Sequence, residues 1–159
     1  MNLEPIGWVH STQRVPGGRG HSWDNEIASI ELDSNRFDAA ALLGLDSFSH
    51  LEVVFVFNQL DPSLVEYGSR RPAGRPDWPE VGILAQRYSH RPNRIGVSRC
   101  KIRAVADITV HVGGLDAIDG SPVLDIKPWM AEHGPRGQIR QPAWSRELMT
   151  DYWTGSVSG

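Results

Sequence analysis

The chain has 159 residues, 40% hydrophobic and 22% charged, with a formal net charge of −3. That length and apolar content describe one globular domain with enough chain for a real core, and the small negative charge excludes a general polyanion binder. A single cysteine, Cys100, excludes an internal disulfide framework and fits a reducing compartment.

No stretch approaches the roughly 20 apolar residues that a membrane span needs. The opening MNLEPIGWVHS has neither the basic start nor the apolar run of a signal peptide, so a soluble, cytoplasmic protein is expected.

In chain order, Ile6-Gly7-Trp8-Val9 reads as a first strand, and Ile27 to Leu32 as a second. The segment Arg36 to Leu45 predicts a short helix, because Phe37, Ala40, Ala41 and Leu45 recur at helical spacing before and after Gly44. HLEVVFVFNQL, from His50, is rich in β-branched and aromatic residues and predicts a strand buried on both faces. Asp61 to Pro79 carries several prolines, glycines and arginines and predicts a long surface loop.

Strands follow at Gly82–Gln86, Ile95–Ala106, Ile108–Gly113 and Val123–Ile126, with glycine turns between them. The fold class is therefore mainly β, a small single-sheet barrel, since closure removes exposed strand edges. A short helix follows its second strand, and a C-terminal helix starts near Pro142. In that helix Trp144, Leu148 and Tyr152 form one apolar stripe for packing on the barrel or a partner subunit.

Charge is unevenly spread. Arg70 to Arg103 holds nine basic residues against Asp77 and Glu80, while the remainder holds seven basic against seventeen acidic residues. Such asymmetry predicts one basic face for an anionic partner.

The six histidines are scattered without ligand spacing and there is no second cysteine, so no metal is expected. There is no Gly-x-Ser-x-Gly elbow, and Cys100 within a strand run reads as a buried, inert thiol. The glycines at 17–20 lack the helix and spacing of a phosphate loop.

Two segments stand out. RYSHRPNRIGVS, Arg87 to Ser98, is basic and stiffened by Pro92, and Gly96 in it lets the backbone pass close to a ligand or a neighbouring strand. LDAIDGSPVLDIKPW, Leu115 to Trp129, places Asp116, Asp119 and Asp125 about a tight turn. Together they suit a ligand that bears both charge signs.

These blocks, with FSHLEVVFVFNQ at 48–59 and IGWVHS at 6–11, resemble the TsaA-like, or TrmO, family of S-adenosylmethionine-dependent tRNA methyltransferases. The likeness covers roughly residues 5 to 130; its most specific parts are Arg-x-x-x-Arg-Pro-Asn-x-Ile-Gly followed by Leu-Asp-x-x-Asp-Gly-Ser-Pro-Val-x-Asp-Ile-Lys-Pro. It implies a single β-barrel domain over 1–159, with the barrel core at about 5–130 and an extension at 131–159 carrying a helix.

The resemblance further implies a homodimer that binds S-adenosyl-L-methionine near the subunit interface. The methyl acceptor would be the exocyclic nitrogen of threonylcarbamoyladenosine beside the anticodon of threonine tRNA. By the same resemblance the cofactor site comprises Asn58, Gln59, Arg87, Val97 and the turn Ala117, Ile118, Asp119, Gly120, Ser121, with Arg91, Pro92 and Asn93 shaping the pocket.

Asp119, Asp125 and His90 are the candidates to assist proton removal from the acceptor, and the choice among them stays open. The basic face around Arg70–Arg103 would hold tRNA phosphates. Asn58 stands where the family usually has His, and Pro16 to Arg19 are the nearest counterpart of its Pro-Arg-Gln element. The alternatives are the same barrel methylating another RNA or a small molecule, and a non-catalytic adenosylmethionine-binding module.

Overall fold

The computed structural model of the chain describes residues 2–15 and 22–155. Alternating burial along its strands sets the architecture. The strands are β1 (Gly7–His10), β2 (Ile27–Leu32), β3 (His50–Val56), β4 (Ser69–Arg70), β5 (Val81–Gly82), β6 (Ile95–Ala106), β7 (Thr109–Gly113) and β8 (Pro122–Pro128). Six of them close into an antiparallel barrel in the order β1-β2-β7-β6-β3-β8, while β4 and β5 form a separate two-stranded ribbon.

The inward residues Val9, Ile30, Leu51, Val53, Phe55, Val110, Val112 and Val123 are fully buried and make the core. Removing a side chain such as Phe55 from water contributes about 1.5–3 kcal/mol. The barrel expected from the succession of short strands is the one observed.

Three elements differ from expectation. β3 is buried on one face, with Glu52, Val54 and Val56 half-covered outside, because a barrel strand has a single inward face. The 36–45 segment forms two 3-10 turns, Ala39–Leu42 and Leu45–Ser47, rather than a helix. Gly44 between them adopts φ 84°, and Asp38 accepts from Ala40 N at 2.9 Å, a local bond that competes with helical pairing. Val81–Gly82 is a strand, but Ile83–Ala85 turns away as a 3-10 turn.

The expected long loop is organised by its own small cluster. Pro72 and Trp78 are buried. Gln86, also buried, donates to the carbonyls of Arg70 at 3.0 Å and Val81 at 3.1 Å. A short helix, α1 (Ala143–Met149), starts after Pro142 and packs here: Trp78 Nε1 donates to Glu147 Oε2 at 2.8 Å, and the Trp78 and Trp144 rings lie 6.3 Å apart.

Two turns of helix are marginal alone, so this contact is what holds α1. Tyr152 falls beyond α1 in a turn and leaves its stripe. Among the described residues, no helix is long and apolar enough to cross a membrane.

Candidate functional site

The connection from β7 to β8, residues 114–121, runs across one mouth of the barrel. Leu115, Ala117 and Ser121 are buried and anchor it to the core. Its backbone joins the end of β1: Gly120 N donates to Val9 O at 2.8 Å and Asp119 N to Gln13 O at 2.7 Å.

β3 delivers Asn58 and Gln59 to the same place. Asn58 Nδ2 donates to Gly120 O at 3.3 Å, and Gln59 Nε2 to Asp119 O at 3.4 Å. The Asp119 carboxylate accepts from Ser11 N at 3.1 Å. Gly120 needs to be glycine for its φ of 75°, and no atom lies within 4 Å of where a Cβ would stand, so the turn borders open space.

The 86–97 segment forms the neighbouring wall. Pro92 opens a 3-10 turn, after which Asn93 and Arg94 take positive φ of 65° and 52°. Asparagine tolerates that region; Arg94 is held there by its surroundings, accepting from Phe57 N at 2.9 Å and donating through Nη1 to Leu60 O at 2.9 Å. Arg87 Nη2 donates to Val97 O at 2.7 Å, and Arg91 Nη1 to Gln86 O at 2.9 Å.

Gly96 faces Phe55 across the β3–β6 pair, and a Cβ there would meet the ring at 2.7 Å from Cε2 and 2.8 Å from Cε1. The close approach that Gly96 permits is therefore to a strand neighbour's side chain.

The family model for the tRNA-methyltransferase O N-terminal domain matches residues 10–133, which include every element of this mouth from His10 onward. The chain belongs to that family. A human protein named tRNA (adenine(37)-N6)-methyltransferase is 34% identical over 156 residues, covering 95% of this chain and 35% of that protein. A Methanothermobacter thermautotrophicus protein named a probable S-adenosyl-L-methionine-binding protein is 31% identical over 132 residues, covering 81% of this chain and 90% of that one.

A crystal structure of TrmO matches with a TM-score of 0.71 at 27% identity, over 89% of this chain and 62% of that one. The chain thus spans about a third of the human relative's length and less than two thirds of the solved TrmO chain.

Within this TrmO-family barrel, the three candidates for proton removal lie in different surroundings. Asp119 is in the mouth. Asp125 sits on β8 opposite Val54 and is ion-paired with Lys127. His90 stacks on Tyr88, with ring centroids 4.9 Å apart, and its carbonyl accepts from Glu66 N at 2.8 Å. Pro16 to Arg19 lie outside the described residues. Among those described, no group of three or more His, Cys, Asp or Glu side chains is placed to hold a metal ion.

A polar cluster behind the mouth was not visible as a unit in the sequence of this TrmO relative. The Asp116 carboxylate accepts from Ser98 Oγ and, at 2.6 Å, from Tyr152 OH. Removal from water raises the Asp116 carboxyl above its ordinary range, although the Tyr152 hydrogen bond and the nearby Arg87 cation act the other way. Burial first, then the Asp116 charge, pushes the Tyr152 hydroxyl up. Asp116 was legible only as a turn acid and Tyr152 only as a helix-stripe residue; the contact that joins them spans 36 residues.

Most of the expected basic face is used internally. Arg70 lies over the Tyr88 ring at 4.0 Å, Arg71 donates to Trp78 O, and Arg75 pairs with Asp77. Arg87, Arg91 and Arg94 donate to carbonyls of Val97, Gln86 and Leu60.

Proposed function

We infer that this chain is the cofactor-binding and catalytic barrel of an S-adenosyl-L-methionine-dependent tRNA methyltransferase. Its acceptor is the exocyclic nitrogen of threonylcarbamoyladenosine beside the anticodon of threonine tRNA. What carries the reading is the convergence of the three family blocks at one mouth, where Asn58 and Gln59 hold the carbonyls of Gly120 and Asp119.

The donor set there suits a nucleoside that carries an amino acid. The Asn58 and Gln59 amide oxygens and Asp119 Oδ2 have no partner among the described residues, and they can accept from an amine or a ribose hydroxyl. The Arg87 guanidinium offers a charge-assisted donor to a carboxylate. Val97 and the Ala117–Ser121 turn contribute backbone groups, since the Ala117 and Ser121 side chains are buried. Arg91, Pro92 and Asn93 hold the wall in place.

Bound adenosylmethionine supplies an electrophilic methyl group on a sulfonium. The work of the chain is to align that centre and exclude water. Asp119, the proton-removal candidate on the 117–121 turn, takes the proton from the acceptor nitrogen; Asp125, ion-paired with Lys127, and His90, stacked on Tyr88, stay outside that step.

Residues 131–155 and the barrel act as one unit, supported by Asp24 N donating to Trp153 O at 3.0 Å and by the Tyr152–Asp116 bond. The working form is a cytoplasmic homodimer. Tyr67 and Leu84, 78% and 75% exposed beside the Gly68–Ile83 hydrogen bond, give it an apolar contact.

Calorimetric titration with adenosylmethionine, followed by mass spectrometry of tRNA nucleosides from a deletion strain and its complemented counterpart, tests the reading. Binding, together with a methylated modified adenosine that disappears on deletion and returns on complementation, is expected. Cofactor binding with unchanged tRNA nucleosides would reject the acceptor. If no cell extract then consumed the methyl donor, a non-catalytic adenosylmethionine-binding module would replace it.

A further inference from the structure

Outside the mouth, one surface gathers exposed cations along a single strand. β6 is twelve residues long: Ser98 and Cys100 are buried while Arg99 and Lys101 are exposed between and beside them, and a bulge between Ile102 and Ala104 leaves Arg103 exposed as well. Arg99 and Lys101, two apart on the regular part of the strand, stand roughly 7 Å apart, close to the separation of successive phosphates along one nucleic-acid strand, and the bulge sets Arg103 beside them.

β7 ends at Gly113 opposite Lys101, so among the described residues the β7-side edge of β6 has no strand partner from Cys100 back to Ile95. A groove of about 490 Å³ opens there, lined by Arg99, Lys101 and Arg103 with His50 and Trp153 on its rim. Gly113 forms the floor, because a Cβ there would meet Arg103 Nε at 2.9 Å; the guanidinium lies across bare backbone.

The charges in this groove are unlike those of the loop. Arg99 is anchored, paired with Glu52 at 3.2 Å and lying over the Trp129 ring at 4.2 Å. Lys101 and Arg103 have no ion-pair partner among the described residues. Among the described residues, Asp24 is the one carboxylate that lines the groove. Gly114 lines it too, and from Gly114 the chain runs through Asp116 to Asp119 and Gly120 at the mouth.

We propose that the β6 groove is the track for the substrate RNA backbone. Lys101 and Arg103 neutralise successive phosphates, Arg99 and Trp129 form a fixed shoulder, and Trp153 offers a ring for a base that leaves the stack. This rests on the RNA-methyltransferase reading and narrows the expected Arg70–Arg103 basic face to the outer wall of β6. A linear array of cations beside an indole ring fits a polynucleotide better than a single phosphate or a flat anionic membrane.

The test measures threonine-tRNA affinity over a salt series for the wild-type chain, for Lys101→Gln/Arg103→Gln and for Asp24→Asn, with adenosylmethionine titration as the control for an intact mouth. The double variant should bind tRNA about tenfold more weakly, with the slope of log affinity against log salt reduced by about 2, while cofactor affinity stays unchanged. Asp24→Asn should bind tRNA more tightly.

Wild-type tRNA binding with an unaltered slope in the double variant would overturn the track and leave the methyltransferase reading standing. Cofactor binding without any wild-type tRNA binding would overturn both. A change of molar mass by light scattering would make the groove a subunit contact. Loss of binding to phosphatidylserine vesicles with tRNA binding intact would make it a membrane contact. Either result overturns the proposal.

Discussion

Replacing Gly96 with alanine separates two roles for a glycine in the most specific motif of the chain. The added methyl falls on the Phe55 ring, 2.7 Å from Cε2 and 2.8 Å from Cε1. Phe55 is fully buried and already packs edge-on against Phe57, with centroids 5.1 Å apart and planes at 74°, so the ring has no solvent-side escape.

Overpacking of this kind costs about 1–3 kcal/mol, which in a chain of this size lowers the thermal midpoint by roughly 2–12 °C. Thermal and urea melts followed by tryptophan fluorescence read that loss. Phe55→Leu in the Gly96→Ala background removes the clash, so the pair should be non-additive by about 0.5–3 kcal/mol in the compensating direction. Additivity within about 0.5 kcal/mol would refute the steric account. A Gly96→Ala chain of wild-type stability that no longer binds adenosylmethionine would show instead that the glycine serves the ligand.

Other outcomes follow from the same geometry. Arg87→Ala should keep the fold and weaken adenosylmethionine binding about tenfold or more, the scale of one charge-assisted hydrogen bond, by titration calorimetry; unchanged affinity would remove Arg87 from the pocket. Tyr152→Phe deletes the donor to Asp116 and should lower stability by about 1.5–3 kcal/mol, read from denaturant midpoints.

The Asp116 carboxyl is raised in the folded chain, so the folded state keeps a proton that the unfolded state has released. Stability should therefore fall as pH rises from the ordinary aspartate range through the folded value, and Asp116→Asn should flatten that fall in a plot of unfolding free energy against pH. Cys100 is fully buried and its thiol is pushed up by burial, so native protein should resist iodoacetamide while urea-unfolded protein is alkylated, as read by intact mass.

Residue patterns carry some of this protein a long way. The strands were readable as short apolar runs between turn residues, and Ile27–Leu32 and Ile95–Ala106 appear with the bounds expected of them. The family blocks were legible because they are contiguous in the chain, and the structure sets Asn58-Gln59 of one against Asp119-Gly120 of another. The 36–45 helix was misjudged because helical spacing over ten residues says nothing about Gly44 turning left-handed or Asp38 capping its own neighbour.

Sequence alone determined the strand-rich barrel class, the family blocks and the uneven charge, all of which are written in local order. Tertiary structure decided which charges are spent and which are free. Arg70, Arg71 and Arg75 fold onto Tyr88, Trp78 and Asp77, whereas Lys101 and Arg103 stand clear on β6. It also brought Ser98, Asp116 and Tyr152 together from three distant segments. Burial and electrostatic pairing depend on distance in space, and no spacing along the chain encodes that.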